Sequence, residues 1–353
     1  MNKVLFKNID GSSLIIFRVF FGFLIACESF MAIFNGWIDA ILIKPKFTFS
    51  FIGFEWLQPL PGFGMYFYFT LMGLTGIGIM LGYRYRINII AFTILWSGVY
   101  FMQKTSYNNH YYLLVLISLL LIFLPANQEK SLDVKFGLVK KATSIPNWIP
   151  LLFITLIGIV YTYAALAKFY PDWLDGTFSK ILLQRLTTRP FLLNLFSQKW
   201  FYLSFAYAGI LFDLLIVPLL LWKKTRNFAF IISILFHLFN SLTLRIGIFP
   251  YLALSFTVFF YEPGKIRSLF FREKIEVSNN PNYFGRNLVF YLVFPFLLVQ
   301  FLLPLRHHFI KGDVLWTEEG HRLSWRVMLR ERSGYINIKV VNNKTQQELP
   351  FDY

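Results

Sequence analysis

The sequence predicts an all-α polytopic membrane protein with a small β-rich segment at its C-terminal end. Three observations predict it. Of 353 residues, 56% are hydrophobic, 20% are aromatic and only 15% are charged, too little polar surface for a water-soluble domain of this length. The apolar residues gather into long runs between short loops, and a helix needs roughly 20 such residues to cross a bilayer. From Arg306 onward the pattern changes to alternating β-branched, aromatic and polar residues.

About nine hydrophobic spans are expected from the apolar runs, near 13–34, 65–82, 87–102, 111–126, 148–168, 203–222, 227–244, 248–262 and 286–304. The first is too long for a signal peptide and lacks a cleavage pattern, so it counts as a span. The pair flanking Gly247 and Pro250 is the weakest, because glycine and proline interrupt it.

The net charge is +16. Most of the excess sits in loops between spans: Arg84 and Arg86; Lys130, Lys135, Lys140 and Lys141; Lys223, Lys224 and Arg226; Lys265, Arg267, Arg272 and Lys274. With the N-terminus inside, these loops all fall on the inner side, as the positive-inside rule requires. No basic surface interleaved with aromatics supports nucleic-acid binding. The single cysteine, Cys27, excludes both a disulfide framework and paired-thiol chemistry.

The same threading sends three polar clusters to the outer face: "KTSYNNHYY" (104–112), "KFYPDWLDG" (168–176) and "FHLFNSLTLRIGIFPY" (236–251). The transmembrane helical domain is expected over 1–305. An outer-face β-rich segment is expected over 306–353. There "HRLSWRVMLR" and "YINIKVVNN" flank "ERSG" as an antiparallel hairpin. That segment is too short to hold a core alone.

Lys168 ends an apolar run, and two readings compete. A lysine there can reach the interface as an anchor. Alternatively it is held short of water, where burial disfavours the charged form and frees the amine as a general base. In the turn that follows, Trp173 reads as an interfacial aromatic, and Asp172 or Asp175 as the partner of a cation. His110 follows Asn108 and Asn109 at the start of a span. The triplet suits the hydroxyl or carbonyl of a quinol, or it is a helix cap. His237 and Asn240 share a helix face inside an apolar run, as a polar patch or as glue between helices.

Arg18, Glu28 and Asp213 lie inside spans and read as structural, since ionisable groups there need partners. Arg18 and Glu28 are roughly 15 Å apart along a helix, which leaves Arg18–Asp213 as the open pairing. The run "GLTGIGIMLG" reads as close helix packing through Gly78 and Gly82 rather than a nucleotide loop. No zinc, iron or calcium motif is present, so no metal site is expected. His110 and His237 have no spacing that fixes them as haem ligands.

The pieces "FRVFFG", "KTSYNNHYYL", "LPAN", "YAALAKFYPDWLDG", "GILFDLL", "FHLFNSLTLRIGIFPY" and "RLSWRVMLR", in this order, resemble vitamin K-dependent gamma-glutamyl carboxylase and its bacterial HTTM relatives. The resemblance implies an integral protein of a bacterial inner membrane whose active site faces the periplasm. It implies vitamin K hydroquinone as co-substrate with O2 and CO2, and no metal. Lys168 would be the base that deprotonates the quinol, generating a stronger base that removes a glutamate γ-proton before CO2 is captured. His110, Asn109 and Asn108 would bind and polarise the quinol, with His237 and Asn240 on a second polar face. Trp325 and His321 would place the glutamate of a protein substrate. His321 stands where the family has a tyrosine, and the large lumenal region of the animal enzymes is not among these 353 residues, either because the tail is trimmed or because this relative lacks that docking surface. Both departures bear on carboxylation, so quinol epoxidation without carboxylation is the alternative implied. A quinone-binding or non-enzymatic membrane protein is the other.

Overall fold

The computed structural model describes residues 2–244, 247–278, 280–327 and 338–349. It is mostly helical, and the helix edges fall within a few residues of the expected ones. The helices are α1 (Ser12–Phe34), α2 (Gly64–Leu81), α3 (Tyr85–Met102), α4 (Asn109–Phe123), α5 (Trp148–Leu166), α6 (Lys199–Leu221), α7 (Arg226–Leu244) and α8 (Phe249–Ser255, continued to Phe259 as a 3-10 turn). The last, α9, runs over Arg286–Phe309. Among the described residues, six helices are long and apolar enough to cross a membrane: α1, α2, α3, α5, α6 and α9. The apolar helices α4 and Phe249–Phe259 are shorter. A count of nine full crossings is therefore not established.

Apolar burial centres on α1. The Phe17 ring lies 4.9 Å from Phe153 of α5, 5.1 Å from Phe256 and 4.9 Å from Phe259. On its other side α1 meets α2 almost backbone to backbone. A Cβ on Gly22 would stand 2.3 Å from the Met80 nitrogen, and one on Gly76 would stand 2.8 Å from the Ala26 nitrogen. In lipid, where apolar burial gives helices no mutual preference, such close approach supplies the packing. The glycine run therefore packs as expected, but the crossing is made by Gly76 with Gly22. Gly78 faces the Asn88 side chain, and Gly82 takes a left-handed conformation, φ 62°, that ends α2.

The basic loops gather at one end of the bundle. Arg267, wholly buried, donates to both Asp10 oxygens at 2.6 and 3.0 Å and to both Glu129 oxygens at 2.9 and 2.6 Å. Arg18 pairs with neither Asp213 nor Glu28. Its guanidinium instead donates to the carbonyls of Ala126 at 2.9 Å and Lys130 at 2.8 Å. The Asp133 carboxylate accepts the Arg84 and Tyr85 amides at the start of α3, at 2.6 and 3.0 Å. These charges tie the segment 126–133 and the short helix Pro263–Phe270 to the ends of the long helices.

At the C-terminal side the turn of the expected hairpin and the inner part of both its arms, 328–337, lie outside the described residues. The described part of the first arm, 321–325, is turn rather than strand, with Leu323 at φ 60° and Trp325 at φ 57°. The strands present are Val340–Val341 and Glu348–Leu349, paired antiparallel. A second two-stranded pair, Asn8–Asp10 with Ser144–Pro146, joins the chain's start to the loop before α5.

Replacing Arg267 alone by Met strands two buried carboxylates. The expected loss is about 3–5 kcal/mol, seen as a lower unfolding midpoint in detergent. The triple change Asp10→Asn, Glu129→Gln and Arg267→Met should recover most of that loss. An Arg267→Met protein as stable as the parent would show the cluster to be structurally idle.

Candidate active site

The end of the bundle opposite the basic loops holds the polar clusters. Helix α5 stops at Leu166, and the chain turns through Lys168–Tyr170 into a single helical turn opened by Pro171. The fold sends Lys168 inward, 6% exposed. Its Nζ donates to the Ala164 carbonyl at 3.0 Å and to Asp213 Oδ2 of α6 at 2.5 Å. Trp173 is not at an interface. It is buried, its Nε1 donates to the Ala206 carbonyl at 3.0 Å, and Lys168 Nζ lies 5.4 Å from its ring centre. Neither aspartate of the turn pairs with Lys168. Asp175 accepts the Thr177 amide at 2.8 Å, closing the loop, and Gly176, at φ 81°, lets that loop pass the Tyr202 ring.

A cavity of about 440 Å³ opens beside this pair, lined by Lys168, Asp213, Tyr161, His237, Asn240 and Phe249 among mostly apolar neighbours. His237 is 1% exposed. Its Nε2 shares a hydrogen bond of 2.8 Å with the Tyr161 hydroxyl, and its Nδ1 has no partner among the described residues. A buried imidazole nitrogen without a partner is uncommon.

His110 lies elsewhere. It lines a second cavity of about 540 Å³ with Asn108 and Glu28. The Phe249 ring stands between the two histidines, 6.1 Å from His110 and 6.0 Å from His237. Lys168 and His110 thus occupy neighbouring chambers at the same end of the molecule, not a single pocket. Asn108 caps α4, its Oδ1 accepting the Tyr111 amide at 2.9 Å. Asn109 lines neither chamber. Its Nδ2 donates to the Arg326 carbonyl at 2.8 Å, and its Oδ1 accepts from the Tyr107 hydroxyl at 2.8 Å. Burial pushes the Tyr107 phenol up, so it keeps the proton it donates. Its oxygen also accepts the Leu323 amide at 2.7 Å. Asn109 and Tyr107 therefore fasten the C-terminal segment to the bundle.

That segment places Trp325 and His321 inside, both buried. The Trp325 ring packs on Tyr112 at 5.2 Å, and the His321 carbonyl accepts from the Ser324 hydroxyl. Neither side chain lines the Lys168 cavity, although Val327 does.

The HTTM domain model matches residues 6–264. The chain belongs to the HTTM family. A second model, the vitamin K-dependent gamma-carboxylase lumenal domain, matches residues 285–352, so this HTTM protein is a relative of the carboxylase family. No solved structure matches the chain at a significant level. Within the HTTM protein, sequence reasoning missed Asp213 and Tyr161 as members of the Lys168 site. The available signal was a lone acidic residue in mid-span, which at membrane depth requires a cation or a proton.

Asn109→Ala should loosen the tail while leaving the Lys168–Asp213 pair in place. The expected result is faster amide exchange over 321–327 with unchanged protection in α5 and α6. Unaltered exchange in the tail would show that the amide does not fasten it.

Proposed function

We propose that this HTTM protein is a vitamin K hydroquinone-dependent enzyme of the carboxylase type, coupling quinol epoxidation by O2 to γ-carboxylation of a protein glutamate. The carrying observation is the Lys168–Asp213 pair in the wall of an apolar cavity. A volume near 440 Å³ suits a bicyclic ring, ligand pockets running roughly 300–1,000 Å³. The few polar residues in that lining, Lys168, His237 and Asn240, suit the two oxygens of a quinol.

Each residue has a definable task. Lys168 must first give up the proton of its ion pair; as the amine it takes a hydroxyl proton at Nζ, and the ammonium so re-formed is held by Asp213 Oδ2 and the Ala164 carbonyl. A phenolic hydroxyl, with a pKa of about 10, is within reach of an amine, whereas a glutamate γ-proton is not. The bound quinol with O2 supplies the stronger base that the protein lacks. Tyr161, when it donates to His237 Nε2, leaves the imidazole proton on Nδ1 and so fixes the tautomer of a ring in the cavity lining. The surrounding apolar side chains exclude the water that would quench a strong base. By the positive-inside rule, this end faces away from the cytoplasm, in the periplasm if the membrane is a bacterial inner membrane.

A second reading, epoxidation without carboxylation, is favoured by one observation. The side chains expected to place the glutamate, Trp325 and His321, are buried away from the Lys168 cavity.

The test measures two products separately. Purified protein receives reduced vitamin K, O2, labelled CO2 and a glutamate peptide. Lys168→Ala should lower epoxide yield about 100-fold or more, the scale of a lost general base. Asp213→Asn should lower turnover with little change in quinol KM. Absence of epoxide from the parent protein, or full yield from Lys168→Ala, would discard the assignment. Epoxide without labelled peptide would select the second reading.

A further inference from the structure

The second cavity, of about 540 Å³, takes no part in the proposed proton transfer, and its walls have a different chemistry. Aromatic rings surround it: Trp37, Phe69, Trp96, Tyr100, Tyr107 and Tyr251. Among the described residues, no lysine or arginine lines it. Glu28, from the outer half of α1, is the one carboxylate in the lining. Among the described residues its partner is the Tyr111 hydroxyl, which donates to Oε1 at 3.1 Å, and no cation stands within ion-pair distance. A carboxyl group inside a membrane-spanning helix is costly unless something offsets its charge.

The other polar side chains of the chamber are largely committed. Gln103 uses both ends of its amide, accepting the Phe49 amide at 3.1 Å and donating to the Ile41 carbonyl at 3.3 Å. Asn108 caps α4, and Asn35 accepts the Trp37 amide at 3.0 Å. His110 shares the wall with Glu28, and Gly247 closes the chamber over both. A Cβ on Gly247 would lie 3.8 Å from His110 Nε2 and 4.0 Å from Glu28 Oε1. The glycine, at φ 64°, keeps that corner open.

We propose that this chamber binds an organic ammonium ion, its charge set against the Glu28 carboxylate and its carbon surface against the aromatic faces. Aromatic rings around one carboxylate, with His110 the one basic side chain among the described lining residues, suit an alkylammonium group. A neutral quinol would leave Glu28 without a counter-charge, whereas an ammonium ion supplies it. The chamber opens at the same end of the bundle as the Lys168 cavity but is walled from it by Phe249. Occupancy here is therefore independent of the quinol assignment and stands if that assignment fails. The ammonium can come from a free solute or from a zwitterionic lipid headgroup.

The test uses choline and its uncharged isostere 3,3-dimethylbutanol, titrated calorimetrically into the protein in phosphatidylglycerol nanodiscs. Choline should bind saturably and the isostere at least tenfold more weakly, a comparison that needs no variant. Glu28→Gln should raise the choline Kd tenfold or more, and Trp37→Leu should raise it while leaving the carboxylate in place. Loss of choline binding in phosphatidylcholine nanodiscs would identify the lipid headgroup as the source, and unchanged binding would identify a free solute. No saturable choline binding, equal binding of the isostere, or a Glu28→Gln protein that binds choline as the parent does would each overturn the proposal.

Discussion

The site depends on one ion pair kept from water. Lys168 and Asp213 meet at 2.5 Å between the end of α5 and the middle of α6, each almost fully buried. Separately, either charge at that depth would be expelled or neutralised. Together they hold two helices in register and leave an amine at a cavity wall. The Trp173 turn, the α5 terminus and the His237–Tyr161 contact are arranged around that pair. Removing the carboxylate would leave the lysine with only a carbonyl for company.

The two ends of the bundle use buried charge differently. At the end that carries the basic loops, Arg267, Asp10 and Glu129 satisfy each other through four hydrogen bonds and leave little for a ligand. At the opposite end the satisfaction is incomplete. His237 keeps an orphan nitrogen, and Glu28 has a hydroxyl where a cation would be expected. Saturated networks fix a fold, and unsaturated ones beside cavities are where a bound molecule completes the hydrogen bonding.

Helix positions were legible because apolar run length is a one-dimensional signal. The Asn108 cap was legible too, since a cap is decided within three residues. Convergence of 104–112, 168–176 and 236–251 followed from charge bias and span order. Pairings across helices were not legible. Asp213 was left open as a partner for Arg18, which backbone carbonyls hold instead, and it was read as structural, because sequence does not say which faces of two spans meet. Asn109 was expected at the ligand and instead holds the tail, because an amide serves a backbone carbonyl as readily as a quinol. The alternation over 321–327 suggested a strand, but burial of Trp325 against Tyr112 turned it into a compact loop.

The mouth of the Lys168 chamber has a consequence for how anything reaches it. Trp173 and the 170–176 turn cover the chamber from the aqueous end, whereas Leu235 and Phe239 of α7, which line it, are among the exposed apolar side chains. The doorway is thus greasy and lateral. A molecule arriving there is counted per unit of bilayer rather than per unit of water, so adding empty lipid or detergent would starve the chamber even at fixed total dose.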